Sequence, residues 1–155
     1  MQKFTTIFQH PFKENELKTE KLTKVDVLQQ FYNIDWLQLN IDSYEKHDET
    51  IHDFYFFEVK YYNITNDEIL LNIFADYTTN SISNQDLRFW LNFKRPKLVV
   101  KKKLFGLLGT EEIIEPVLTE MENQDYQFTI TCLTEFLNLN INFLEQNMCN
   151  YRNDF

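Results

Sequence analysis

The string His47-Asp48-Glu49-Thr50-Ile51-His52 is the part of this chain that comes nearest to a metal site. Two histidines hold zinc from one helix face when they stand four positions apart. Here they stand five apart, which is about 140° around a helix and opposite faces of a strand. The spacing fails for either element and no third ligand is signalled, so the string reads as a solvated loop leading into a strand. No metal or other cofactor is expected.

Nucleophilic chemistry is no better supported. Cys132 and Cys149 would need an electropositive setting or a neighbouring base to become thiolates. Cys132 stands among apolar residues at helical spacing and reads as a packed thiol, while Asn150, Tyr151 and Arg152 give Cys149 no base. The two are 17 positions apart, about 25 Å along the single helix expected there. That is too far for a disulfide, so both read as free thiols in a reducing compartment. Paired carboxylates such as Asp48/Glu49, Glu111/Glu112 and Glu120/Glu122 could serve glycosidase-type acid–base chemistry. Among 24 acidic residues, however, nothing selects a pair, and surface solvation explains them. Two glycines in the whole chain cannot build a phosphate-cradling loop. No enzyme is predicted.

Two charge clusters remain. Lys94-Arg95-Pro96-Lys97-Leu98-Val99-Val100-Lys101-Lys102-Lys103 holds six of the fifteen basic residues. The apolar turn Leu104-Phe105-Gly106-Leu107-Leu108-Gly109 follows it directly. Lysines beside an apolar tip suit a membrane surface or a partner. The blander alternative is that Lys101 and Lys103 guard an exposed strand face and edge while Leu104, Phe105 and Leu107 tuck into the core. The second cluster is acidic, with Asp42, Glu45, Asp48, Glu49 and Asp53 in a loop before the first strand of a meander. It could dock onto a basic protein surface, where complementary charge speeds association. Net charge is −9 and the pI about 4.8, which argues against a nucleic-acid partner.

These clusters must be positioned by a folded domain. The 155 residues suit one domain, taken as 1–155, and 43% hydrophobic with 16% aromatic residues is far from a disordered composition. Asn, Lys, Ile, Phe and Tyr are abundant and Ala occurs once, at Ala75, a bias that reduces the weight of any single aromatic. The opening residues carry no apolar signal-type run and no apolar stretch approaches 18 residues, so the expected address is cytoplasmic. Asn63-Ile64-Thr65 then reads as a turn rather than a glycosylation site.

Thr23, Asp26 and the apolar pair Leu22/Val27 form a capping box with a staple. Val27, Leu28, Phe31 and Ile34 continue at helical spacing, predicting a helix over about Lys24 to Asn33 after an irregular polar stretch at 12–21. From Ile51 the period becomes two. Tyr55, Phe57, Val59 and Tyr61 share one face, as do Ile69, Leu71, Ile73, Ala75 and Tyr77, and then Leu87, Phe89, Leu91 and Phe93. Pro96 is expected to end that third strand, with Lys97 to Phe105 a separate strand near an edge and Glu112 to Met121 a return strand interrupted by Pro116. Ile130, Leu133, Leu137, Ile141, Leu144 and Met148 predict one long helix, Thr129 to Met148, whose Leu139 and Phe143 fall off its main stripe. Residues 35–42 echo residues 135–142, but a single echo is no repeat architecture. The fold class is α+β, an antiparallel β-meander of four to five strands flanked by an N-terminal helix and a longer C-terminal helix.

With no catalytic constellation, elimination leaves a non-catalytic protein-binding module. Its most concrete form is an immunity-type inhibitor that neutralises a toxin or other basic protein. The candidate contact residues are Asp42, Glu45, Asp48, Glu49 and Asp53, together with Lys101, Lys102, Lys103, Leu107 and Leu108. Two readings compete: a small-molecule binder with a pocket of Tyr55, Phe57, Phe89 and Trp90 between meander and helices, and a peripheral assembly or membrane-contacting protein using the segment from Lys101 to Leu108.

Overall fold

A computed structural model describes residues 2–76, 80–103 and 108–148. Among them are six strands, β1 (Phe4–Gln9), β2 (Leu17–Leu22), β3 (Phe56–Tyr62), β4 (Glu68–Asp76), β5 (Arg88–Lys102) and β6 (Thr110–Asp125). They form one antiparallel sheet in the order β2-β1-β3-β4-β5-β6. The α-helices are α1 (Lys24–Asn33), α2 (Trp36–Glu45), α3 (Tyr126–Leu137) and α4 (Ile141–Asn147), and residues His47–Glu49 make one 3-10 turn. The α+β class and the meander, β3 to β6, are therefore as the sequence indicates. The β1–β2 hairpin adds to the β3 side and raises the strand number to six.

Every helix contributes to one face of the sheet. Phe57, Val59, Leu71, Ile73, Phe89, Leu91 and Phe93 alternate along β3, β4 and β5, and all are buried in one cluster with Val27, Phe31, Trp36, Leu39, Cys132, Leu133, Phe136 and Leu144 from the helices. The capping box of α1 is present: the Thr23 backbone N–H donates to Asp26 Oδ2 at 2.8 Å and the Thr23 hydroxyl accepts from the Asp26 N–H at 3.3 Å. Leu22 and Val27 both lie in the core, as a staple requires.

Four expectations are corrected. The stretch 12–21 is not irregular throughout, since β2 begins at Leu17; it is an edge strand with only Leu22 buried, so it carries no alternation. Residues 36–45 form α2, whose start is fixed by Asp35 accepting from the Gln38 N–H at 3.1 Å. Neither proline breaks its strand. Pro96 and Pro116 face one another as register partners, so β5 runs on to Lys102 and β6 through to Asp125; β5 pairs with β4 only up to Lys94, so Lys97 onward does lie at an edge, in a hairpin with β6. Finally, the C-terminal helix is two. Leu139 has a left-handed φ of 55°, and Asn140 caps α4 through the Phe143 N–H at 3.3 Å. The break turns Phe143 back onto the core, where Leu139 and Ile141 also pack, which resolves their off-stripe positions. It also separates the echoed segments: 35–42 starts a helix, while 135–142 ends one and begins another.

Candidate functional site

The helices leave the opposite face of the sheet without a covering element among the described residues. Side chains there alternate with the core positions: Phe56, Glu58 and Lys60 on β3; Glu68, Leu70, Asn72 and Phe74 on β4; Trp90, Asn92 and Lys94 on β5. Tyr55 and Phe54 show how sharply the faces divide. The Tyr55 ring stacks on Trp36 at 6.2 Å within the core, and the next residue back, Phe54, meets Phe74 edge to face at 6.3 Å on the open side. Phe74 continues the aromatic row to Phe56 at 5.5 Å and to Trp90 at 6.1 Å. The pocket expected between meander and helices is thus overturned. Tyr55, Phe57 and Phe89 are fully buried core, packed with helix side chains, and Trp90 points to the other face.

A cleft does exist on that open face, at the end of the sheet where β4 finishes. It encloses about 370 Å³ and is lined by Phe54, Phe74, Trp90, Asp76, Glu122 and Asn123, with Ala75 and Phe89 at its floor. Its far wall depends on a bulge. Between the pairs Phe89↔Gln124 and Leu91↔Met121, β5 advances two residues while β6 advances three. The extra residue leaves Asn123 with a left-handed φ of 58°. Bulges of this kind re-aim side chains and increase strand twist, and here Glu122 and Asn123 lie opposite Trp90.

The acidic candidates gather at the same end of the sheet. Asp42 and Glu45 lie on α2, Asp48 and Glu49 in the 3-10 turn, and Asp53 immediately before Phe54. α2 is tied to that end by the buried Asn40, whose side chain donates to the Asp76 carbonyl at 2.9 Å and accepts from the Ser81 N–H at 3.1 Å. Asp42 meets Lys46 at 3.8 Å and Asp48 meets His47 at 3.0 Å, whereas Glu45 and Glu49 make no ion pair with any described residue. Tyr44, Ile51 and Phe54 are exposed among these carboxylates. His52 Nε2 donates to the Lys13 carbonyl at 2.9 Å in the tautomer that carries its proton there. His10, packed against Phe8 and Phe12, is pushed below its usual pKa by burial and by Lys13, with Asp42 opposing.

The basic run is laid out differently from its sequence. Lys101 bonds Glu115 at 2.5 Å and Lys103 lies 3.4 Å from Glu111, both diagonally across the β5–β6 ladder. Lys97 and Arg95 share Glu145 of α4, and Lys94 pairs with Glu68. Lys102 makes no ion pair among the described residues. Arg95 is not a surface residue at all: it is 3% exposed, with Nε donating to Glu145 at 2.9 Å, Nη1 donating to the Val117 carbonyl and to the Thr119 hydroxyl, and its guanidinium 5.0 Å above the Phe93 ring. Leu108 is exposed; Leu104, Phe105, Gly106, Leu107 and Cys149 lie outside the described residues. Because Trp90 stands in the row of Phe74 and Phe56, Lys101 is eleven residues further along β5, about 35 Å away at the rise of a strand. The candidate contact residues therefore form two groups at opposite ends of the sheet.

Cys132 is fully buried and burial, with the nearby Glu135 charge, pushes its thiol up to about 12, which removes it as a nucleophile at neutral pH. Among the described residues no group of three His, Cys, Asp or Glu side chains could hold a metal ion, and no helix is long and apolar enough to cross a membrane. Comparison with protein-family models, curated proteins and solved structures finds no match to the chain.

Sequence reasoning missed the cleft and the buried arginine for different reasons. Phe54, Phe74, Glu122 and Asn123 come together only through strand pairing and a bulge that no glycine announces. Arg95 was visible, because it continues the inward set Phe89, Leu91, Phe93 by one more step of two.

Proposed function

We propose that the protein is a non-catalytic protein-binding module that docks a basic protein partner, most concretely an immunity-type inhibitor. One observation carries this reading: the acidic segment from Asp42 to Asp53 holds exposed carboxylates interleaved with exposed Tyr44, Ile51 and Phe54, while the basic run is largely neutralised by Glu68, Glu111, Glu115 and Glu145. Aromatic anchors ringed by charge are the composition of binding hot spots, and a segment with five carboxylates against Lys46 leaves a negative field that attracts cationic surfaces. The same pairing weakens the membrane reading, since lysines engaged by carboxylates offer less to anionic headgroups.

The test is affinity capture with the purified chain and with an Asp48→Lys/Glu49→Lys variant, at low and high salt. The expected result is a stoichiometric basic protein, held more weakly at high salt and by the variant. Recovery of no partner, or of a partner indifferent to both salt and charge reversal, would overturn the reading.

A further inference from the structure

The cleft on the open face has a chemistry that the acidic segment alone does not supply. We infer that it seats a guanidinium group, the head of an arginine side chain; the identity of the donor as a basic protein rests on the function proposed above, but the chemistry of the cleft does not. Three aromatic rings, Phe54, Phe74 and Trp90, stand within 6.3 Å of one another in sequence along it, and their faces carry the negative quadrupole that attracts cations, tryptophan most strongly. Two carboxylates, Asp76 and Glu122, complete the wall, and no cationic side chain lines it.

Arg88, the register partner of Asp76, does not line the cleft, and its Nη1 donates to the carbonyls of Gln85 and Leu87, each at 2.8 Å. Two carboxylates beside one anchored cation leave the cleft with a negative balance. Its volume of about 370 Å³ lies at the lower end of the ligand-pocket range, roughly 300–1,000 Å³. That suits one long side chain. Between the cations, arginine fits better than lysine: a planar head can lie on an aromatic face while its edge meets a carboxylate, which a tetrahedral ammonium cannot do at once. The bulge at Asn123 is the device that brings a carboxylate opposite Trp90, because a regular β6 would alternate past it.

The probe is acetyl-arginine amide, titrated into the full chain with its neutral isostere acetyl-citrulline amide as control, and read by amide and indole nitrogen–proton correlation spectra. The expected result is saturable shifts of the Trp90 indole and of the amides of Phe74, Asp76, Glu122 and Asn123, with a Kd of about 1–10 mM for so small a ligand. Citrulline should give none. Glu122→Gln, an exposed change that leaves the bulge in place, should weaken binding about three- to tenfold, and Trp90→Leu should abolish it in a chain whose spectrum remains dispersed. Equal shifts with citrulline, shifts located elsewhere, or no saturation would overturn the inference whether or not a protein partner is captured. Arginine binding without any captured partner would instead sink the proposed function and leave the cleft's chemistry standing.

Discussion

Arg95 is the residue on which several elements converge. It sits in β5, but its partners are in β6 and α4, so one side chain closes the end of the core beyond Phe93. A guanidinium there is tolerable because Nε and Nη1 are hydrogen-bonded and Phe93 supplies an aromatic face; removing it leaves Glu145 to Lys97 alone and takes the guanidinium from Thr119. Buried ion pairs broken from one side cost about 3–5 kcal/mol, and since Glu145 keeps some access to water, Arg95→Ala is expected to fall near about 3 kcal/mol. Arg95→Lys keeps the charge but cannot reach Glu145, Val117 and Thr119 together and should recover little. Arg95→Met paired with Glu145→Gln removes both charges and should be milder than Arg95→Ala. Urea midpoints at constant slope give all three values. If Arg95→Ala unfolds at the wild-type midpoint, the buried network contributes nothing.

Elements whose signals are local were legible from the sequence, and α1 is the clearest. Its box needs only residues 23 to 26, and Thr23 through its hydroxyl, then its backbone N–H, holds the Asp26 carboxyl below its usual pKa of 3.8. A carboxyl whose pKa is lowered by folding stabilises the fold above its unfolded value, and that contribution disappears as the pH falls through the folded value. Asp26→Asn should therefore lower the melting temperature near pH 6, and the gap should close as the pH falls below 3.8 and through the lowered folded-state value, while Thr23→Ala should cost about 1 kcal/mol. A gap that persists unchanged in acid would mean that Asp26 acts other than through its charge. The α3–α4 break was hidden for the opposite reason. Left-handed positions usually announce themselves by glycine, but here Lys21, Asn66, Asn123 and Leu139 occupy them, so the turn at Leu139, the bulge at Asn123 and the register shift of β2 against β1 between Leu22 and Thr19 look like ordinary strand or helix sequence. β1 and β2 were lost because an edge hairpin with one buried residue in β2 has no period to read.

At the scale of the whole molecule, the sequence gives net charge but not its placement, and placement decides how a partner is met. The acidic segment and the lysines of the β5–β6 hairpin lie at opposite ends of the sheet, Lys101 standing about 35 Å along β5 from Trp90 at the acidic end, and the Debye length at physiological salt is about 8 Å. Each end therefore acts on an approaching partner almost alone. Net charge and local field then make opposite forecasts. Lys101→Glu with Lys103→Glu makes an already acidic chain still more so; if overall charge steered association, a basic partner would bind faster. If the acidic end steers it, the on-rate at physiological salt should not change, and only the hairpin should suffer, because the reversed residues would face Glu111 and Glu115 across the ladder at a cost of about 0.2–1 kcal/mol per pair. Asp48→Lys with Glu49→Lys should by contrast slow association about tenfold at low salt and flatten its salt dependence. Stopped-flow association with the captured partner, run on both double variants across ionic strength, separates the two. A faster on-rate for the hairpin variant at physiological salt would show that the field acts as a whole, and the division of the molecule into two electrostatic ends would have to be given up.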